Sequence, residues 1–245
     1  MITLRRAAER HHARRRRREV WLTFHSSTDD IDSLADGFGV LEILNEDLLP
    51  PGAVIPIHLQ RDAEIVSYVL EGALAHEDST GRSGVIHAGE FQRRTVGRGI
   101  RHSETNASRT SWAHVFQMSL HPSQVGREPS HEQRRFSAGQ RRGVLCVVAS
   151  PDGRRGSLLV QQDALIYSAL LDVGQHVVHE LPTGRSAWLH IVRGEVTLLD
   201  VVLTTGDGAG IIGERAVSLT AREETEILLV DLAEPPSSPR RASSA

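Results

Sequence analysis

Residues 64–89 read Glu64-Ile-Val-Ser-Tyr-Val-Leu-Glu-Gly72-Ala-Leu-Ala-His-Glu-Asp78-Ser-Thr-Gly81-Arg-Ser-Gly-Val-Ile-His-Ala-Gly89. Three short strand patterns lie in this stretch, and a turn signal stops each one. Residues 64–70 are rich in Ile, Val and Tyr and end at Glu71-Gly72. Residues 73–77 alternate and end at Asp78-Ser-Thr-Gly81. Residues 83–87 run into Ala88-Gly89. The same grammar extends outward. Residues 40–44 and 112–120 read as strands in the first half. In the second half, 143–149, 157–161, 164–171, 187–192, 195–199 and 225–232 do so. Long helical periodicity is scarce, so the chain is expected to be all-β, a sandwich or barrel.

Two features of the first half return in the second. Tyr68-Val-Leu-Glu-Gly72 matches His190-Ile-Val-Arg-Gly194, and Ala88-Gly-Glu90 matches Thr205-Gly-Asp207, in the same order. This predicts an internal duplication of one β-barrel unit. Between the halves, residues 121–143 are polar, with Pro122 and Pro129. They read as a linker with a short helix around 130–136. The expected organisation is a first barrel over 1–120, the linker, a second barrel over 144–232, and a disordered tail over 233–245. The tail is too poor in apolar residues to offset its ordering entropy.

Composition bounds the function. The 245 residues are 39% hydrophobic and 24% charged, with a net charge of −3, which suits a globular protein and argues against a nucleic-acid-coating role. All 28 basic residues are Arg, so a lysine Schiff base, lysine general base and P-loop lysine are excluded. Arg14 through Arg18 form a basic run without interleaved aromatics, and a solvated edge strand accounts for them better than a nucleic-acid patch. Cys146 is the one cysteine, so no intrachain disulfide or thiolate cluster forms; it lies in an apolar strand and reads as a buried inert thiol. No run of about 18 apolar residues exists to span a membrane. The basic N-terminus lacks the apolar stretch of a secretory signal, so the expected location is the cytoplasm.

Two segments carry the chemistry. One is Gly52-Ala-Val-Ile-Pro-Ile-His58-Leu-Gln60, the other Gly97-Arg-Gly99-Ile-Arg-His102-Ser-Glu104-Thr-Asn106. Residues i and i+2 of a strand share a face, so His58 pairs with Gln60 and His102 with Glu104. If the two strands are neighbours, these four side chains converge. Two imidazoles and a carboxylate form a facial triad suited to non-haem Fe(II), with the Gln60 amide as a weak fourth ligand or a hydrogen-bonding neighbour. Other histidines read differently: His114 as a core or hydrogen-bonded residue, and His76, His87, His176 and His179 as surface or loop residues.

Gly-x5-His-x-Gln and Gly-x2-His-x3-Asn resemble the two cupin motifs. The surrounding text, including Gly37-Phe-Gly39, Tyr68-Val-Leu-Glu-Gly72, Gly97-Arg-Gly-Ile100, His102-Ser-Glu104 and Ser150-Pro-Asp-Gly153, is similar to pirin-like bicupins over roughly residues 1–232. The resemblance implies two tandem jelly-roll-like cupin barrels with one divalent metal, Fe(II) first, in the N-terminal barrel. It implies His-x-His and His-x-Glu ligand pairs, here His58, Gln60, His102 and Glu104, with Glu104 also the proton acceptor. It further implies quercetin 2,3-dioxygenase-like activity on a flavonol-like substrate. Gln60 departs from that pattern, where the family has a second imidazole. The alternative is a non-catalytic, metal-free bicupin acting as a small-ligand sensor or a regulatory protein-interaction module.

Overall fold

Glycine punctuation sets the strand ends. The computed structural model describes residues 1–15, 17–25 and 32–234. Among these residues, strands form two seven-stranded and two four-stranded sheets. The only helices there are a four-residue α-helix, Ala138–Arg141, and the 3-10 turns Ala7–Glu9 and Arg154–Gly156. No described helix is long and apolar enough to cross a membrane.

The duplication is physical. In the first half, strands Val54–Gln60, Ile100–Asn106, Ala73–Asp78 and Ser83–His87 lie side by side in one four-stranded sheet. In the second, His176–Glu180, Ala216–Ala221, Glu195–Leu198 and Val201–Thr204 repeat that order. Gly72 and Gly194 both have positive φ, 75° and 93°. A Cβ on Gly72 would lie 2.4 Å from the Trp112 carbonyl oxygen, and one on Gly194 2.5 Å from that of Glu224. Each halves-matching glycine therefore marks the same close backbone approach, which no other residue tolerates.

The two seven-stranded sheets pack face to face. Tyr68, Phe91 and Phe116 of the first half meet Ile166, Trp188 and Leu228 of the second in one buried cluster. A charged knot sits at its edge. The fully buried Glu226 carboxylate accepts hydrogen bonds from Tyr68 Oη, from the Arg141 guanidinium at 2.7 Å and from Arg193 at 3.0 Å. Arg141 also donates to Ser168 Oγ at 3.0 Å. One short helix thereby ties both barrels together.

Several expectations are corrected. Ser130–Arg135 is not a helix; it is an edge strand paired with Glu90–Thr95 of the first half. Its charged and largely exposed side chains are what an edge strand carries to avoid further pairing. Strand Ile2–Arg5 crosses over and pairs with Gly208–Ile212 of the second half. As expected, the basic run falls at a sheet edge, in the hairpin of strands His11–Arg15 and Arg18–Leu22; Arg16 lies outside the described residues. Arg18 ion-pairs with buried Asp47 at 2.6 Å. Ala233 closes strand Thr225–Ala233, and the remainder of the expected tail, from residue 235, lies outside the described residues. Cys146 is only half-buried, with its thiol pushed up by burial.

The knot gives a stability test. Arg141→Met leaves Glu226 short of its buried partner and is expected to cost about 3–5 kcal/mol. Tyr68→Phe removes one hydrogen bond to a carboxylate and should cost roughly 1.5–3 kcal/mol. Urea denaturation of both variants checks the order.

Candidate functional site

Strands Val54–Gln60 and Ile100–Asn106 are antiparallel neighbours, and His58 and His102 are direct register partners. Their ring centroids lie 4.2 Å apart. A bulge follows, because Ile55 and His58 are three positions apart while their partners Glu104 and His102 are only two apart. His102 and Glu104 point into the barrel and are each 2% exposed. His102 Nε2 lies 3.9 Å from Glu104 Oε1. The two segments singled out in the sequence are thus brought together, with Gln60 half-buried beside them.

The donor chemistry can be tested against a divalent metal. His58 Nδ1 lies 3.0 Å from the Pro56 carbonyl oxygen. A carbonyl only accepts, so Nδ1 carries the proton and Nε2 keeps its lone pair, the arrangement a ligating histidine adopts. Gln60 Oε1 and His102 Nδ1 are buried without a hydrogen-bond partner. Two imidazoles, one carboxylate and an unengaged amide oxygen fit a divalent transition metal. They do not yet converge: among the described residues, no group of three or more His, Cys, Asp and Glu side chains stands in a ligating cluster. Gln117 holds Glu104 by donating to both its oxygens, at 3.0 and 2.9 Å.

Four residues of the site escaped the sequence reading. His76, expected at the surface, is buried at 6% and pairs in register with Glu104. Gln92 and Arg94 come from strand Glu90–Thr95, and Gln117 from Ala113–Leu120. Arg94 donates to Gln92 Oε1 at 3.1 Å, which fixes the amide orientation and turns its NH2 toward His76 Nε2 at 2.7 Å. His76 Nε2 therefore accepts and is engaged. Strand parity was the available signal: His76 shares a face with buried Leu74, and Gln117 alternates with Phe116 and Met118.

The second barrel shows what the first would be without this site. His179 is the register partner of Val217 as His58 is of His102. Counting on, Leu219 stands for Glu104, Leu189 for Ser67, Leu229 for Gln117, Ala209 for Gln92 and Ile211 for Arg94. All but the retained histidine are apolar and sit in one filled core. His179 is on a strand, not a loop, and its Nε2 lies 2.7 Å from buried Asp231. His176 and His87 are exposed as expected, and His114 is hydrogen-bonded to Glu46 at 2.7 Å.

Burial, aided by the Arg94 charge, pushes His102 down to about 3 and His76 to about 4. Burial, then Arg10, pushes His190 to about 3. Each imidazole binds fewer protons folded than unfolded below its ordinary 6.5, so each contributes stability that is lost as pH falls. Asp47, raised by burial to about 6, and Glu64, also raised by burial, act in the opposite direction. With the three histidines outweighing them, the urea midpoint of the metal-free protein is expected to be lower at pH 5 than at pH 7, the His102→Asn variant showing a smaller drop.

Comparison with known proteins places the fold in a family. A family model described as pirin matches residues 5–120, and one described as the quercetinase C-terminal cupin domain matches residues 147–232. A quercetin 2,3-dioxygenase from Escherichia coli is 41% identical over 232 residues, covering 95% of this chain and 99% of that protein. A pirin-like protein from Caulobacter vibrioides is 34% identical over 197 residues, covering 80% of this chain and 84% of its own. The crystal structure of the bacterial pirin YhhW from Escherichia coli in complex with nickel(II) matches with a TM-score of 0.89 at 39% identity, over 96% of this chain and 100% of that one. With two cupin domains in tandem, this chain belongs to the pirin family.

Proposed function

We propose that the first barrel is a metal-dependent dioxygenase site acting on a flavonol-like, chelating enol, with His58, His102 and Glu104 as metal ligands and the Gln60 amide as a weaker fourth donor. The observation that carries this reading is the register pairing of His58 with His102 beside the Glu104 carboxylate. The names of the 41%-identical relative and of the nickel complex support it. Fe(II) is the metal proposed first, on the His/His/carboxylate donor set. When bound, it would supply Lewis acidity that lowers the pKa of a substrate hydroxyl.

The chain's own residues do the rest. Pro56 fixes the His58 tautomer through Nδ1. Gln117 orients Glu104 by its two hydrogen bonds. The Glu104 carboxylate accepts the proton of the enol hydroxyl, acting as a positioned general base. The apolar residues Ile65, Val96 and Ile100, buried together nearby, keep water from one end of the barrel.

A second reading is a metal-free bicupin that binds a small ligand without turning it over. It is favoured by Gln60 and by the absence of a converged ligand cluster among the described residues. Metal analysis of protein purified without chelator, followed by oxygen uptake with quercetin, separates the two. Under the dioxygenase reading the protein holds stoichiometric metal, His102→Ala loses it, and Glu104→Gln lowers turnover by about 10²–10⁴-fold. No transition metal retained after iron loading sinks that reading. Gln60→His exchanges an amide for an imidazole and is expected to tighten metal binding; an unchanged affinity would show that residue 60 does not reach the metal.

A further inference from the structure

The inner wall of the first barrel carries a permanent cation. Arg94 is 4% exposed. It comes from strand Glu90–Thr95, on the face opposite Phe91, which packs between the barrels. Its guanidinium donates to Gln92 Oε1 at 3.1 Å and lies 3.8 Å from Glu104 Oε1. Glu104 is as deeply buried as Arg94, so bulk water does little to screen the pair. A guanidinium cannot shed its charge in a protein. Any divalent ion held by Glu104 therefore meets a fixed positive charge on the same carboxylate.

We propose that Arg94 is a competing internal counter-ion for Glu104, and that it sets how weakly the first barrel holds a divalent metal. The proposal rests on the metal-site reading above. Three features of the wall act together. Arg94 neutralises Glu104 when no metal is bound, Gln117 fills both carboxylate oxygens, and Gln60 presents an amide where an imidazole would bind more tightly. In the second barrel the register equivalents of Arg94 and Glu104, Ile211 and Leu219, are both apolar, so the cation stands only where the carboxylate does. Arg94 also fixes Gln92, and through it occupies His76 Nε2, which withholds a further imidazole from the ion.

The test is a nickel(II) titration of the metal-free, full-length protein by calorimetry, with no substrate present. Wild type is compared with Arg94→Met, Arg94→Gln and Gln60→His. Damage to the fold lowers affinity, whereas loss of a repelling charge raises it, so a gain is diagnostic. Arg94→Gln serves if Arg94→Met does not fold, since it keeps an amide for Gln92. Either neutral variant is expected to bind nickel at least about tenfold more tightly than wild type. Equal or weaker binding by both, in a protein whose wild type and Gln60→His variant do bind, overturns the role of Arg94 and leaves the metal site standing. No binding by any of the four proteins overturns the metal site, and this inference with it.

Discussion

A strand buried on both faces must serve two interiors at once. Strand Ala113–Leu120 shows this: Phe116, Met118 and Leu120 enter the core between the barrels, while Val115 and Gln117 face the other way. Strand Thr225–Ala233 does the same, with Leu228, Val230 and Leu232 between the barrels and Ile227 and Leu229 inside the second. Because side chains alternate with period two, a slip of one residue would exchange the two sets. In the first barrel that slip would drive Gln117 into the apolar layer and strand Glu104 without its donors. Register, held by apolar packing on one face, is thus what places the polar chemistry on the other.

The same constraint explains how one barrel can carry a polar inner wall where its duplicate is apolar. The faces between the barrels are mainly apolar in both halves because each buries the other. The inner faces are uncoupled from that demand. In the second barrel they are Leu189, Ala209, Ile211, Val217, Leu219 and Leu229, packed as an ordinary core. In the first the equivalent places hold Ser67, Gln92, Arg94, His102, Glu104 and Gln117, and the apolar content shrinks to small clusters at the ends. The first barrel therefore depends more on the sheet packing between the halves and on the Glu226 knot for its stability.

Local signals in the sequence carried the strands, the repeat and the two histidine-bearing segments, since each lies within a few residues and has its own turn. His58, Gln60, His102 and Glu104 are placed by parity on two strands, and the pairing of those strands completes the arrangement. The rest needed register across further strands. Nothing local marks Arg94 and Gln92, which join the inner wall because strand Glu90–Thr95 is pressed between its neighbours. The pairing of Ile2–Arg5 with Gly208–Ile212 joins residues some two hundred apart, and nothing local announces it. Ser130–Arg135 reads as a short helix in a polar linker because an edge strand exposed to solvent keeps no apolar alternation.

Arg94 also bears on why the metal-free barrel can fold at all. A buried carboxylate without a partner is costly, and it ordinarily recovers that cost from a cation or from hydrogen bonds. Here Glu104 has both, the guanidinium at 3.8 Å and the Gln117 amide, so the polar wall is charge-balanced before any ion arrives. The Gln60 carbonyl oxygen and His102 Nδ1 are buried without a hydrogen-bond partner. At the metal site proposed above, an ion would gain most from those free groups and the His58 lone pair, and least from a carboxylate already engaged. The balance of that site would then lie with the neutral donors, and an amide rather than an imidazole at residue 60 would weigh on it more heavily than in a barrel whose glutamate stood alone.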